Sequence, residues 1–197
     1  MAIIYGIPDS KKQLEKSLRK SILVASGAKG ELAVLDKISE LDDNYHILCN
    51  VNVNLGHLIT DPISKRKDLK KAQMDFVIIS KRGVMVIEVK NWSEEYILKN
   101  KINIEKYGGK TPHAQTHRNG LVLWIELNPS NRQKKISVTK ILLATHGNMQ
   151  FDPTYEMVHV KDLTNINNFI QNQTKQFSDE EVKEIIISLG KIPKQTS

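Results

Sequence analysis

A mixed β-sheet flanked by helices, an α/β domain, is the architecture this sequence predicts, and three observations predict it. Residues 45–55, 73–80 and 83–91 are rich in β-branched and alternating apolar residues and are separated by polar turns. Residues 9–25, 29–42, 111–127 and 179–189 repeat their apolar residues at helical spacing. The two kinds of segment are interleaved along a chain with no internal repeat, low-complexity tract or composition break, so one unit with helices packed on a sheet is expected.

In chain order, Asp9 can cap a first helix whose Leu14, Leu18 and Ile22 recur at helical spacing. Gly27 and Gly30 interrupt that pattern. The expected division is a helical extension over residues 1–25 and a globular domain over 26–197. A second helix over about 29–42 carries the stripe Val34, Leu35, Ile38 and Leu41, with Glu31 on the same stripe. Tyr45, Ile47, Cys49, Val51, Val53 and Leu55 alternate with polar residues, including His46, Asn50, Asn52 and Asn54. This pattern predicts one half-buried strand with all six on one face. A polar, basic loop is expected from Gly56 to Ala72. Residues 73–80 and 83–91 then form a hairpin around Lys81-Arg82-Gly83. A further strand or hairpin is expected over 96–104. Thr111 and Pro112 open a helix that runs to about Leu127. Ile136–Thr145 reads as a central strand and Glu156–Val160 as a short one. Ser178-Asp179-Glu180-Glu181 is a capping box that turns Val182, Ile185, Ile186 and Leu189 inward, and Gly190 ends the helix.

Composition narrows the setting. The 197 residues are 40% hydrophobic and 26% charged, ordinary for a folded chain and too apolar for wholesale disorder. No apolar run is long enough to span a bilayer, the start of the chain has no signal-peptide pattern, and the lone Cys49 cannot form an intramolecular disulfide. A cytoplasmic protein is the expectation. The formal charge of +7 suits a polyanionic partner without establishing one. Lys65, Arg66, Lys67, Lys70 and Lys71 concentrate that charge just before the second strand, and phosphate attraction and a solvated loop are both open readings of the run.

The chemistry sits in Gly83-Val84-Met85-Val86-Ile87-Glu88-Val89-Lys90, an apolar strand interrupted by two charges. Residues two apart on a strand face one side, so Glu88 and Lys90 project together roughly 6.5–7 Å apart. Charges in an apolar run need partners or a function. A buried Glu–Lys ion pair that merely holds the hairpin is one explanation. The other adds Asp75, which the hairpin can bring beside Glu88. Two carboxylates and a backbone carbonyl, that of Val89, make a hard oxygen site suited to Mg²⁺ or Mn²⁺. Lys90 can then orient the attacking water and offset charge on a phosphate. Glu31 either joins this group or is a carboxylate in a first helical turn that favours the helix dipole.

The segments Gly27-x-x-Gly30-Glu31, Gln73-Met74-Asp75, Gly83 through Trp92 and Pro112-x-x-Gln115 occur in the order of the nuclease-related domain (NERD) family and resemble its motifs over residues 26–145. That family resembles a branch of the PD-(D/E)xK phosphodiesterases. The resemblance implies a restriction-endonuclease-like core, catalytic positions at Glu31, Asp75, Glu88 and Lys90, and a supporting Gln115. Met74 stands where the superfamily has proline. It also implies a bacterial metal-dependent nuclease acting on nucleic acid, with DNA as the expected substrate. The alternatives are a nucleic-acid-binding module that keeps the fold without turnover, and an interaction domain of a larger bacterial system.

Other residues are set aside. His113 and His117 stand four apart on a predicted helix, but neither the Glu of a His-Glu-x-x-His motif nor a third ligand is present, so both read as surface or helix-start polar groups. Cys49 reads as a buried hydrophobe, Trp92 as packing rather than a base-stacking platform, and Gly108-Gly109 as a turn.

Overall fold

The computed structural model describes residues 1–6, 22–65, 67–93, 95, 111–146 and 149–190. Their elements are β1 (Ile3–Tyr5), α1 (Ile22–Ser39), β2 (His46–Ile59), β3 (Leu69–Ser80), β4 (Gly83–Lys90), α2 (Pro112–Leu127), β5 (Val138–Ala144), a 3-10 turn at Pro153–Tyr155, β6 (Val158–Asp162), α3 (Ile166–Gln171) and α4 (Asp179–Ser188). The six strands lie in sequence order in one mixed sheet. β2, β3 and β4 are antiparallel neighbours, whereas β1–β2, β4–β5 and β5–β6 are parallel. The short Lys81-Arg82 turn dictates the antiparallel pair, and helix α2 makes the crossover that a parallel neighbour requires.

Helices cover both faces, as the interleaved pattern predicted. One core packs Val77, Ile79, Val84 and Val86 against Val122, Leu123 and Leu127 of α2 and Val182, Ile185 and Ile186 of α4. The other packs Phe76, Ile78, Met85 and Ile87 against Val34 and Ile38 of α1 and Ile166 and Ile170 of α3. Successive residues of β3 and β4 therefore serve opposite cores. The hairpin is apolar on both sides because it is covered on both sides. The caps predicted at Thr111 and Ser178 are formed, whereas Asp9 lies outside the described residues. The Thr111 side chain accepts from the Ala114 amide, and Ser178 and Glu181 form a reciprocal capping box.

Several expectations need correction. α1 runs through Gly27 and Gly30 without a break. A helical glycine costs only about 1 kcal/mol relative to alanine, and Gly30 has a packing reason to be there: a Cβ on it would lie 2.5 Å from the Asn91 Cβ. The loop expected from Gly56 to Ala72 is shorter, since β2 continues to Ile59 and β3 already begins at Leu69. β2 does not keep one apolar face. Tyr45, Ile47 and Cys49 enter the α1–α3 core, but Val51 and Val53 enter the α2–α4 core. Asn50, at φ 50°, lies in the left-handed region between them and switches the parity of the strand. The short strand β1 was not anticipated. The helix expected over 9–25 falls mostly on residues 7–21, which lie outside the described residues, as does the strand expected over 96–104.

Candidate active site

Register brings the first two carboxylates together. Phe76 pairs with Ile87, so the next step along the hairpin sets Asp75 against Glu88. On its other side, β2 pairs Cys49 with Phe76 and Val51 with Met74, which sets Asn50 against Asp75. β3 switches parity at this same level: Met74 belongs to the α2–α4 core and Phe76 to the opposite one. The Asp75 side chain emerges at that switch, and its Oδ2 accepts the Val89 amide at 2.7 Å.

Glu88 is only 3% exposed. Both of its oxygens are engaged. Lys90 Nζ donates to Oε1 at 2.7 Å and Gln115 Nε2 donates to the same oxygen at 2.6 Å. Asn119 Nδ2 donates to Oε2 at 3.0 Å and also to the Gln73 carbonyl at 2.9 Å. Lys90 Nζ donates in addition to Gln115 Oε1 at 3.1 Å. Gln115 and Asn119 are one helical turn apart, so α2 presents both amides to one carboxylate. Asn119 was missed in the sequence. Its spacing from Gln115 was the available signal.

Glu31 sits in the middle of α1, half-buried, which removes the first-turn dipole explanation for it. It lies close enough for its charge to act on Asp75. Gly30 packs this part of α1 on Asn91 at the end of β4, and Asn91 Oδ1 in turn accepts a hydrogen bond from the Thr145 hydroxyl.

The electrostatics follow from the crowding. Burial is the largest cause that raises the Asp75 carboxyl, and the neighbouring charges of Glu88 and then Glu31 raise it further. The Val89 amide and Lys90 oppose them, and the net result is a pKa near neutrality, about 8. Among the described residues Lys90 is the cation that acts on Asp75 beside Glu88 and Glu31, so negative charge exceeds positive in the described cluster. That deficit, with hard carboxylate oxygens and the Val89 carbonyl at hand, fits a divalent cation of the Mg²⁺ or Mn²⁺ kind. Among the described residues no three His, Cys, Asp or Glu side chains form a ready-made metal-ligand set, so protein ligands would have to include backbone.

The end of the basic segment lies beside this cluster. Lys70 and Lys71 line a cleft of about 460 Å³ whose wall includes Gln115, Arg118 and Asn119. Lys65 and Lys67 are exposed, and Arg66 lies outside the described residues.

His113 and His117 are not surface groups. They are 7% and 4% exposed. They belong to the other side of α2, where His113 Nε2 meets the Gln150 carbonyl at 2.9 Å and His117 lies against Asp61 and Tyr155. Helical spacing that sends Gln115 and Asn119 toward the sheet carboxylates sends these two away. Cys49 is buried in the apolar core, as expected. Among the described residues no helix is long and apolar enough to cross a membrane.

A family model described as "Nuclease-related domain" matches residues 26–145, from the first half of α1 to the end of β5. That span holds Glu31, Asp75, Glu88, Lys90, Gln115 and Asn119. No curated protein and no solved structure matches the chain.

Proposed function

The chain belongs to the nuclease-related domain family, and on that premise we propose that it is a metal-dependent nuclease that hydrolyses phosphodiester bonds, with DNA as its substrate. A nuclease-related function follows from the family, and the mixed sheet flanked by helices is consistent with a nuclease-like fold. The observation that carries the finer reading is the set of hydrogen bonds at one end of the hairpin. Asp75 lies opposite Glu88, and Lys90 and Gln115 share a single oxygen of Glu88.

Asp75 and Glu88, with the Val89 carbonyl, are the groups that would hold Mg²⁺ or Mn²⁺. The ion, when bound, supplies Lewis-acid polarisation of the phosphoryl oxygens and eases deprotonation of water. The remaining work falls to side chains. Lys90 is a compact cation with three donors, able to contact an attacking water and a phosphate oxygen together. Gln115 holds both Lys90 and Glu88, fixing the ammonium relative to the carboxylate. Lys65, Arg66, Lys67, Lys70 and Lys71 draw the polyanion toward carboxylates that would otherwise repel it.

A second reading has one observation in its favour. Both oxygens of Glu88 are already engaged by protein donors, which suits a nucleic-acid-binding module without turnover. A cleavage assay on labelled DNA and RNA, with Mg²⁺, Mn²⁺ or excess EDTA, separates the two. The nuclease reading expects metal-dependent cleavage that EDTA stops. It expects Asp75→Asn and Lys90→Ala to lower the rate by about a hundredfold or more while the far-UV spectrum is kept. Full cleavage in EDTA, or by Asp75→Asn, contradicts it. Binding without cleavage under every condition establishes the module.

A further inference from the structure

β2 and β3 outrun β4. Their pairing extends from His46↔Ile79 to Ile59↔Leu69, whereas β4 pairs with β3 over Phe76–Ser80. Residues 69–74 of β3 therefore have an edge that, among the described residues, no further strand covers. α2 lies along that edge. The 460 Å³ cleft described above is the space between them, with Lys70, Lys71 and Gln73 on the strand side and Arg118 on the helix side. A second cleft, of about 410 Å³, adds Asn52 and Asn54 of β2. The two share Lys71, Ala72 and Gln73, so they form one continuous track. It starts at Gln115 and Asn119, which bond Glu88, and ends on the exposed asparagines of β2.

Its chemistry selects an occupant. The wall carries three cations, Lys70, Lys71 and Arg118, against one carboxylate, Asp68. The exposed lysines 65 and 67 lie just upstream in the chain. The other polar donors are side-chain amides. The described lining contains no aromatic ring on which a base could stack. Cations and amides contact phosphate and sugar oxygens, and they fix position without reading sequence. From this juxtaposition we propose that one strand of the substrate nucleic acid lies along the β3 edge, gripped through its sugar–phosphate backbone by Lys71, Arg118, Gln73, Asn52 and Asn54, without base recognition. The proposal rests on the nuclease reading for its direction, since the track leads the backbone to Glu88. A peptide adding as a strand to the same edge is the competing occupant, and the cationic wall disfavours it.

The test measures binding of fluorescent oligonucleotides of several unrelated sequences to the 197-residue chain carrying Asp75→Asn, over a range of salt concentrations. Adding Lys71→Gln and Arg118→Gln is expected to raise Kd about tenfold for every sequence. The slope of log K against log salt should shrink by about 0.7–0.9 for each lost contact. Lys135→Gln with Lys175→Gln removes the same charge at exposed positions outside both clefts and is expected to leave the slope unchanged. Matched melting temperatures exclude misfolding as the cause. An unchanged slope in the track variant, an equal loss in the control, or a loss confined to one sequence overturns the proposal. The two readings fail separately. Wild-type protein that binds through these residues but never cuts leaves the track and removes the nuclease. Undiminished cutting after both track substitutions removes only the track.

Discussion

Helix α2 divides two buried polar clusters that use similar residues to opposite ends. On one side Gln115 and Asn119 reach Glu88, with Asp75 and Lys90 beside it. On the other, Asp61, His117, Lys140 and Tyr155 meet under the helix. Asp61 is fully buried, yet its needs are met locally. Its Oδ1 accepts the Ile63 amide at 2.9 Å, its Oδ2 accepts the Ser64 hydroxyl at 2.6 Å, and His117 Nε2 stands 3.4 Å away. Burial pushes the Asp61 carboxyl up, but the Ser64 and Ile63 hydrogen bonds and the charge of His117 outweigh it and hold it below its usual range. Asp75 ends on the other side of its ordinary value, first because burial raises it and then because the charges of Glu88 and Glu31 add to that, outweighing the Val89 amide and Lys90. One cluster satisfies its carboxylate from within, although among the described residues neither ring nitrogen of His117 has a hydrogen-bond partner, and it fastens the start of the basic loop. The other, among the described residues, sets three carboxylates against Lys90. A buried, perturbed carboxylate therefore signals a reactive site only when the protein does not itself supply the compensation.

Breaking the Asp61 cluster should have the largest effect on stability. Asp61→Ala strips the acceptor from Ile63 and Ser64 and removes the carboxylate charge that acts on Lys140. Denaturant melts are expected to show a loss of about 2–4 kcal/mol. Asp75→Asn should act in the opposite direction. It removes a repelled charge and leaves an oxygen for the Val89 amide, so in EDTA at pH 8 the variant should be more stable by about 1–2 kcal/mol. A loss of stability in Asp75→Asn would mean that the charge excess is not felt.

Acid and base separate the clusters further. The Asp75 carboxyl is raised, so its contribution to stability is present below 3.8 and is lost as pH climbs through about 8. Facing it are Glu88, Glu31 and Lys90. His117 is lowered by burial first and by the charge of Lys140 next, with Arg118 adding to the lowering and Asp61 opposing it. His113 is lowered by burial, with the Gln150 carbonyl and Asp152 opposing. Lowered histidines contribute stability above 6.5 that is lost as pH falls through their folded values. In EDTA the two slopes oppose each other below pH 6.5, where the histidine contribution begins to be lost. Melting curves against pH should lose the alkaline decline in Asp75→Asn and lose part of the acid decline in His117→Gln. If neither substitution changes its own limb, the assignment of the limbs is wrong.

Asn119→Ala should have the smallest effect. It frees one oxygen of Glu88 and releases its tie to the Gln73 carbonyl, for about 1 kcal/mol of stability. It is expected to lower cleavage about tenfold, chiefly in kcat, through a displaced carboxylate. Asn119→Gln cannot bridge the same two acceptors from the same position and should not rescue the rate. A change in KM alone would assign Asn119 to substrate contact instead.

Much of this site was legible in the chain because periodicity exposes it. Glu88 and Lys90 stand out as charges at period two in an apolar strand, the Lys81-Arg82-Gly83 turn forces Asp75 alongside, and Thr111-Pro112 places Gln115 in a first helical turn. What stayed hidden has no periodic signature. The left-handed backbone at Asn50 reverses the faces of β2, and nothing in the alternation of residues announces a non-glycine residue at positive φ. Gly30 reads as a break when local propensity is considered alone, and only the approach of Asn91 explains a glycine inside a continuous helix. His113 and His117 read as surface or helix-start groups; His113 does stand at the helix start, but the burial of both was hidden because their partners, Gln150 and Asp61, are distant in sequence. The same holds for Lys140, whose stem fits because a Cβ on Gly120 would lie 2.5 Å from it.

Calorimetric titration of Mn²⁺ into metal-free wild-type protein, beside Asp75→Asn and Asp61→Asn, tests the contrast between the clusters most directly. The account predicts saturable binding to the wild type that disappears in Asp75→Asn and survives in Asp61→Asn. Equal binding by wild type and Asp75→Asn, or no binding by the wild type, would contradict it.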